Sequence, residues 1–270
     1  MSQQRFLPDA DRVSVLLGMV LLAFAVTRLL PAQQYTLELQ LPNAYFTWTI
    51  DFNTIATLLA AALTATGMDW LLRGHATLGG QPTYTHWLLP TLTTFIVGTS
   101  LSLLPANSFW WFGFGVAALV LLVVFLAEYV VVDPADVRYS TATVVLSAMS
   151  YAIFLILVVA LRYADTRLYL LMPVVLLSGG LVALRVLNLR LSGRWEFGWA
   201  AGVGLVVMQL STAWHYWPLA PAQYGLLTLG ILYAVTGLSA NLAEESPTWR
   251  AAVEPLVMLA LVWALALWFG

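Results

Sequence analysis

The chain has 270 residues, of which 61% are hydrophobic and only 9% are charged, and its mean hydropathy is +0.86. This charged fraction lies far below the roughly 25% that is typical of soluble domains, so water is not the main solvent of the protein. The net charge of -2 provides no basic stripe for nucleic acid, and the absence of cysteine excludes disulfides and thiolate metal sites.

Long apolar runs separated by short polar clusters recur along the whole sequence. About 20 residues of helix are needed to cross a 30 Å hydrocarbon core, and each run is close to that length. The sequence therefore predicts one all-α membrane domain over residues 1–270, a polytopic transmembrane helix bundle of about nine spans, with eight as the alternative. The predicted spans are residues 13–30, 52–72, 87–104, 109–131, 140–161, 168–187, 197–214, 223–241 and 252–269.

The segment between the first two spans has a different pattern. Polar and apolar residues alternate over 36–41 and again over 46–51, and Pro42 and Asn43 lie between the two stretches. Alternation with turn residues in the middle is typical of a β-hairpin. We therefore expect a short extracytoplasmic hairpin over residues 34–51, either a lid that seals the helix ends or a gate over an outer cavity.

Arginine positions predict the orientation, because short cytoplasmic loops accumulate basic residues. With the N-terminus inside, about eight of the 11 basic residues fall on the inner side, and Arg28, Arg162 and Arg167 fall outside. An odd number of spans then places the C-terminus outside. The expected location is the bacterial cytoplasmic (inner) membrane.

Ionisable side chains inside or beside apolar runs are the candidates for a functional site, because charge at membrane depth is costly unless it is paired. On the predicted inner side they form a candidate polar pocket. Its predicted members are Glu128, Arg185, Asp69, Arg73, His86 and Glu254.

Five of these residues have specific structural alternatives. Asp69 and Arg73 are four residues apart on one predicted helix and are expected to pair with each other. Glu128 and Arg185 each interrupt an apolar run, so they either form an interhelical ion pair that fixes packing or line the pocket. Glu254 precedes a proline, and both residue types suit the first turn of a helix.

The loop after the fourth predicted span contains Asp133, Asp136 and Arg138. Two aspartates are too few for the metal clusters that bind diphosphates, so a turn in which Asp136 caps the next helix is the favoured interpretation. Three histidines that divide between the two predicted sides cannot ligate one heme or metal. No cofactor and no metal are expected.

Small and hydroxyl residues mark the third and eighth spans, where close helix packing is favoured over a hydrophilic pathway. Aromatic residues around His215 are interpreted as an interfacial belt. Motifs of hydrolases, metalloproteases and nucleotide-binding loops are absent from the sequence, so an enzymatic function has no positive sequence evidence.

Three stretches of sequence carry a resemblance. Residues 66–73, 127–139 and 215–218 resemble an uncharacterised family of bacterial multi-pass membrane proteins, found mainly in filamentous and thermophilic phototroph relatives. The resemblance implies the membrane topology and no activity, cofactor or catalytic residue.

These observations favour a non-enzymatic binding or assembly component as the function. A carrier or permease for a neutral or lipid-like solute is the alternative, and a lipid-modifying enzyme at the cytoplasmic face is the second alternative. The expected partners are membrane lipids, with other membrane proteins as a further class.

Overall fold

Helices make up most of the computed structural model, which describes residues 8–29, 34–41, 44–75, 78, 83–104, 107–191, 193–244 and 248–268. Within these residues the predicted all-helical bundle is confirmed. A short 3₁₀ turn, Tyr84–His86, precedes the third helix. The described residues form nine helices: α1 (Ala10–Leu29), α2 (Phe52–Leu72), α3 (Leu88–Leu103), α4 (Ser108–Val131), α5 (Tyr139–Tyr163), α6 (Leu168–Arg190), α7 (Phe197–Trp214), α8 (Pro221–Ala243) and α9 (Thr248–Trp268).

Eight of the helices in the described part of the chain are long and apolar enough to cross a membrane. The exception is α3, which has 16 residues. At 1.5 Å per residue it extends about 24 Å, less than the thickness of a typical hydrocarbon core. Nine helices with eight of spanning length fit an integral membrane protein, and the span count of nine stays a prediction.

Two strands join α1 to α2. Strands β1 (Gln34–Leu41) and β2 (Ala44–Asp51) pair antiparallel, from Gln34 opposite Asp51 to Leu41 opposite Ala44. The predicted turn residues 42 and 43 lie outside the described residues. Strand β2 leads directly into α2, where the Asp51 carboxylate accepts a hydrogen bond of 2.8 Å from the Thr54 backbone N–H and caps the helix.

The helices fall into two compact units, residues 1–142 and 143–270, and the division lies in the first turn of α5. The single membrane domain expected from the sequence stays a prediction. In unit 1, α1 packs on α2 and α4, α2 on α3, and α3 on α4. Apolar side chains of α1, among them Leu16, Val20 and Phe24, are buried in the core of this unit.

Hydroxyl groups also connect helices in unit 1. The Thr64 and Thr94 hydroxyls lie 2.9 Å apart, which links α2 to α3. Both residues are buried, and each hydroxyl also lies 2.9 Å from a carbonyl oxygen of its own helix. These two buried hydroxyls therefore bond without needing water.

Unit 2 is built around very close helix approaches. A Cβ atom added at Gly204 of α7 would lie 2.7 Å from the Leu176 carbonyl oxygen and 3.1 Å from the Gly180 nitrogen of α6. The neighbouring atoms are backbone atoms, so they cannot move aside as a side chain can. Only glycine at position 204 permits this α6–α7 contact.

A proline in α9 is matched to its neighbour α8. Pro255 lies inside α9 and has no N–H to donate to the Ala251 carbonyl, one turn earlier. The Asn241 side chain of α8 donates to that carbonyl instead, at 2.9 Å. Gly237, one turn before Asn241, leaves the space in which the Pro255 ring packs. Asn241 thus replaces the hydrogen bond that the proline cannot make, and Gly237 makes room for its ring.

The prediction that Glu254 lies in the first turn of a helix is wrong. α9 begins at Thr248, so Glu254 and Pro255 lie beyond the first turn in which they were expected. The pattern was misleading because the donor that compensates for the internal proline comes from another helix, which the local sequence does not show.

The loop after α7 is fixed by an arginine of α5. Arg162 donates to the His215 carbonyl at 3.0 Å and to the Trp217 carbonyl at 3.1 Å. The Trp214 ring meets the Trp217 and Trp263 rings edge to face, with centroids 5.6 Å and 5.4 Å away. The predicted aromatic cluster is therefore a packed structure, with an arginine that neutralises the carbonyl end of α7.

Candidate functional site

Polar side chains gather at one end of unit 1, where α2 and α4 finish and α3 begins. Antiparallel neighbours bring these three helix termini to the same end. We call this group the polar end; its members are Asp69, Arg73, His75, Thr83, His86 and Glu128.

The centre of the polar end is a hydrogen-bonded acid and histidine. Glu128 lies on α4 with no exposed side-chain surface, and its Oε2 accepts from Nδ1 of His86 at 2.9 Å. Its neighbours Phe125 and Tyr129 on α4 are buried as well. A buried carboxylate needs such a donor, because desolvation without hydrogen bonds is costly. The pair can also hold or pass a proton, since imidazole can both donate and accept.

Asp69 holds the segment before α3 against α2. Its carboxylate accepts from the Thr83 hydroxyl and from Nε of Arg73, the latter at 2.7 Å. The predicted pairing of Asp69 with Arg73 is present in the structure. Arg73 is 73% exposed, so this ion pair adds little to stability, whereas the Thr83 contact positions the turn that carries His86.

His75 joins the polar end through a ring contact. Its imidazole lies 4.6 Å from the Tyr129 ring, centroid to centroid, and is buried. Burial lowers the pKa of His75, while the carboxylates of Asp133 and Asp136 act in the opposite direction. No sequence pattern places His75, Thr83 or Tyr129 in a site, because each depends on a contact between segments far apart in the chain.

The aspartates of the loop before α5 are engaged within the loop itself. Asp133 accepts from the Ala135 backbone N–H at 3.0 Å. Asp136 accepts from the Arg138 backbone N–H at 2.8 Å and pairs with the Arg138 guanidinium at 3.0 Å. The hydrogen bonds from Arg138 lower the pKa of Asp136. These bonds agree with the interpretation as a turn, and no group of three or more metal-binding side chains occurs in the described part of the chain.

The remaining predicted pocket members belong to unit 2. Arg185 is buried on α6 and donates from Nη1 to the Asn188 side-chain oxygen at 3.0 Å. Asn188, one turn along the same helix, was missed because an asparagine in an apolar run carries no charge signal. Glu254 is exposed on α9. The pairing of Glu128 with Arg185 stays a prediction.

Comparison with known protein families assigns most of the chain to one of them. Residues 32–269 match a family described as "Protein of unknown function (DUF5656)". The chain belongs to this family. The DUF5656 match covers the hairpin and α2 to α9, including the whole polar end, whereas α1 precedes it. No curated protein and no solved structure matches the chain.

Proposed function

We propose that this protein is a non-enzymatic binding or assembly component of the bacterial inner membrane. In this proposal the N-terminus is inside, the C-terminus is outside, and the polar end of unit 1 is the binding centre at the cytoplasmic face.

The observation that carries the proposal is the buried pair of Glu128 and His86. Apolar side chains of similar volume would pack the same helices without the desolvation penalty of a carboxylate. Ionisable groups within apolar helices are, for this reason, commonly functional. Glu128 has no exposed side-chain surface, while the His86 side chain is 16% exposed, which gives a ligand access to the pair.

Charge favours a particular class of ligand. Carboxylates outnumber arginines across the polar end and the adjoining loop, which contain Asp69, Glu128, Asp133 and Asp136 against Arg73 and Arg138. A group that carries positive charge or donates hydrogen bonds, such as an amine or a basic segment of a partner protein, matches this surplus.

Native mass spectrometry tests the proposal directly. The protein is extracted from its own membranes in lipid nanodiscs, as wild type, as Glu128→Gln and as Glu196→Gln. Glu196 is the control, because it pairs with Arg194 at 2.7 Å in unit 2, outside the polar end. We expect a stoichiometric molecule or protein on the wild type and on Glu196→Gln, and its loss from Glu128→Gln. Equal retention by a folded Glu128→Gln variant would show that the ligand binds elsewhere.

A lipid-modifying enzyme is the second candidate, and the geometry of the same pair favours it. An imidazole oriented by a carboxylate at 2.9 Å is a common arrangement for a general base. Incubation with extracted membrane lipids distinguishes the two functions. A new lipid product that disappears with His86→Gln supports catalysis, and tight binding without turnover supports the binding component.

A carrier or permease receives less support. Most of the hydroxyls of α3 that a solute pathway would use are engaged by their own helix; Thr93 donates to the Leu89 carbonyl at 2.7 Å and Thr99 to the Phe95 carbonyl at 2.8 Å. This arrangement favours packing, the interpretation preferred from the sequence.

A further inference from the structure

A cavity of about 50 Å³ lies at the opposite end of unit 1 from the polar end. It is formed where α1 and α3 finish and where α2 and α4 begin. Its walls include Phe24 and Trp110, and its polar lining consists of Thr27, Arg28, Asn53 and Ser102. We call it the hairpin-end cavity, because β2 enters α2 beside it.

Arg28 gives the cavity its charge. The Asp51 carboxylate, directly before α2, caps that helix through Thr54. Among the side chains that the structure describes, which do not include those of residues 30–50, no ion pair involves Arg28. An exposed guanidinium beside a cavity offers a planar set of donors that matches the oxygens of a phosphate or carboxylate.

The hydroxyl groups add a second requirement. Thr27 donates its proton to the Phe24 carbonyl and Ser102 donates to the Thr99 carbonyl, each at 2.7 Å. Their oxygen atoms therefore have only lone pairs to offer a ligand. A ligand that satisfies both features carries an anionic group for Arg28 and a hydroxyl donor for Thr27 or Ser102.

The aromatic residues beside the cavity indicate its depth in a membrane. Phe109, Trp111 and Phe112, in the first turns of α4, are 70%, 66% and 73% exposed, and they flank Trp110 in the cavity wall. Exposed aromatic clusters of this kind lie at the head-group level of a bilayer. The molecules present at that level are lipid head groups.

We propose that the hairpin-end cavity binds the head group of an anionic, hydroxyl-bearing phospholipid, of which phosphatidylglycerol is the simplest example. The phosphate lies against Arg28, and a glycerol hydroxyl donates to Thr27 or Ser102. This site is separate from the polar end. Thr27 and Arg28 precede the region matched by the family, whereas Asn53 and Ser102 lie within it.

The test uses the full chain in phosphatidylcholine nanodiscs, to which phosphatidylglycerol or phosphatidate is added, with adducts counted by native mass spectrometry. We expect preferential binding of phosphatidylglycerol. Arg28→Gln should weaken it about tenfold, the effect of losing a charge-assisted hydrogen bond. Ser102→Ala should weaken phosphatidylglycerol binding about fivefold but leave phosphatidate unchanged, because phosphatidate has no glycerol head-group hydroxyl.

Matched controls make the test decisive. Arg167→Gln removes another exposed arginine, at the start of α6, and should bind phosphatidylglycerol like the wild type. Glu128→Gln should also bind normally, which separates this proposal from the function proposed for the polar end. Thermal unfolding in phosphatidylcholine alone verifies that each variant is folded, and Ser102→Ala carries the test if Arg28→Gln is not.

Three results would overturn the proposal. One is equal binding of phosphatidylglycerol and phosphatidylcholine. Another is a folded Arg28→Gln variant that binds phosphatidylglycerol as well as Arg167→Gln does. The third is displacement of the lipid by millimolar inorganic phosphate, which would assign the cavity to a soluble anion.

Discussion

The two units of the molecule use their polar side chains in different ways. In unit 1, most of the described hydrogen bonds between segments join one side chain to another, as in Thr64 with Thr94 and His86 with Glu128; the bond from Arg12 to the Trp70 carbonyl is an exception. In unit 2, most of them join a side chain to a backbone carbonyl of another segment, as in Arg162 with His215, Asn241 with Ala251 and Trp263 with Leu227.

The two kinds of hydrogen bond have different consequences for stability and for binding. A carbonyl that receives an extra donor is fixed in place, because backbone groups buried away from water must be bonded. Two side chains that bond each other, by contrast, can exchange partners or protons without moving a helix. We infer that substitutions in unit 2 chiefly change stability, whereas those at the polar end also change binding.

The largest effect should come from Gly204→Ala in unit 2. The added methyl group would meet the Leu176 carbonyl at 2.7 Å, and the backbone cannot yield without separating α6 from α7. We expect a loss of about 3 kcal/mol in the free energy of unfolding, the upper part of the range for overpacking. Thermal unfolding in detergent measures it. Gly202→Ala is the control, since nothing lies within 4 Å of a Cβ there, and equal stability of both variants would contradict the close approach.

In unit 1 the strongest effect on stability should come from His86→Phe. Loss of the imidazole removes the donor that lies 2.9 Å from the Glu128 carboxylate, and we expect about 2 kcal/mol of destabilisation. Adding Glu128→Leu should then recover much of the lost stability, because it removes the buried carboxylate that has lost its donor. A double variant less stable than His86→Phe would show that the carboxylate is stabilised mainly by other groups.

A smaller effect is expected from Asn241→Leu in unit 2. The variant leaves the Ala251 carbonyl without its side-chain donor, and about 1 kcal/mol should be lost. Pro255→Ala restores a backbone N–H for that carbonyl, so Asn241→Leu should cost less in the Pro255→Ala background. Equal losses in both backgrounds, measured by chemical unfolding, would argue against the compensation.

The smallest effect concerns pH and two histidines outside the helices. Burial lowers the pKa of His75 and of His215 below the ordinary 6.5, and Arg162 lowers that of His215 further. The unfolded chain therefore takes up protons first, and stability should fall as the pH drops below about 6.5. Unfolding temperatures between about pH 5 and 8 should show this slope.

The two histidines differ in their surroundings, which allows their contributions to be separated. Asp133 and Asp136 favour the protonated form of His75, whereas Arg162 opposes protonation of His215. His75→Asn and His215→Asn should each reduce the slope, and the double variant should reduce it most. A slope that neither variant changes would assign the acid sensitivity to other groups.

Much of the fold followed from the sequence, because the signals involved are local. Apolar runs determine where helices form, and α2 and α7 begin and end at the predicted residues. The pairing of Asp69 with Arg73 was also predictable, since both lie one turn apart on α2. Close packing was predicted for α3 and α8, where a Cβ at Gly98 or Gly225 would meet a neighbouring side chain at 2.6 Å or less; the direct backbone contact between α6 and α7 was not predicted. A glycine meets the backbone of a neighbouring helix only if the two helices are suitably shifted along their axes, and composition does not determine that shift.

The candidate site likewise combines features visible in the sequence with contacts that only the structure shows. The sequence by itself determined that Glu128 and His86 are ionisable groups beside apolar runs, because charge in such a run is visible in one dimension. Only the tertiary structure decided that the two side chains bond to each other, that His75 and Thr83 join them, and that Asn241 completes the helix around Pro255. Each of these contacts joins segments separated by at least ten residues, and their geometry depends on how the helices are rotated and shifted against one another.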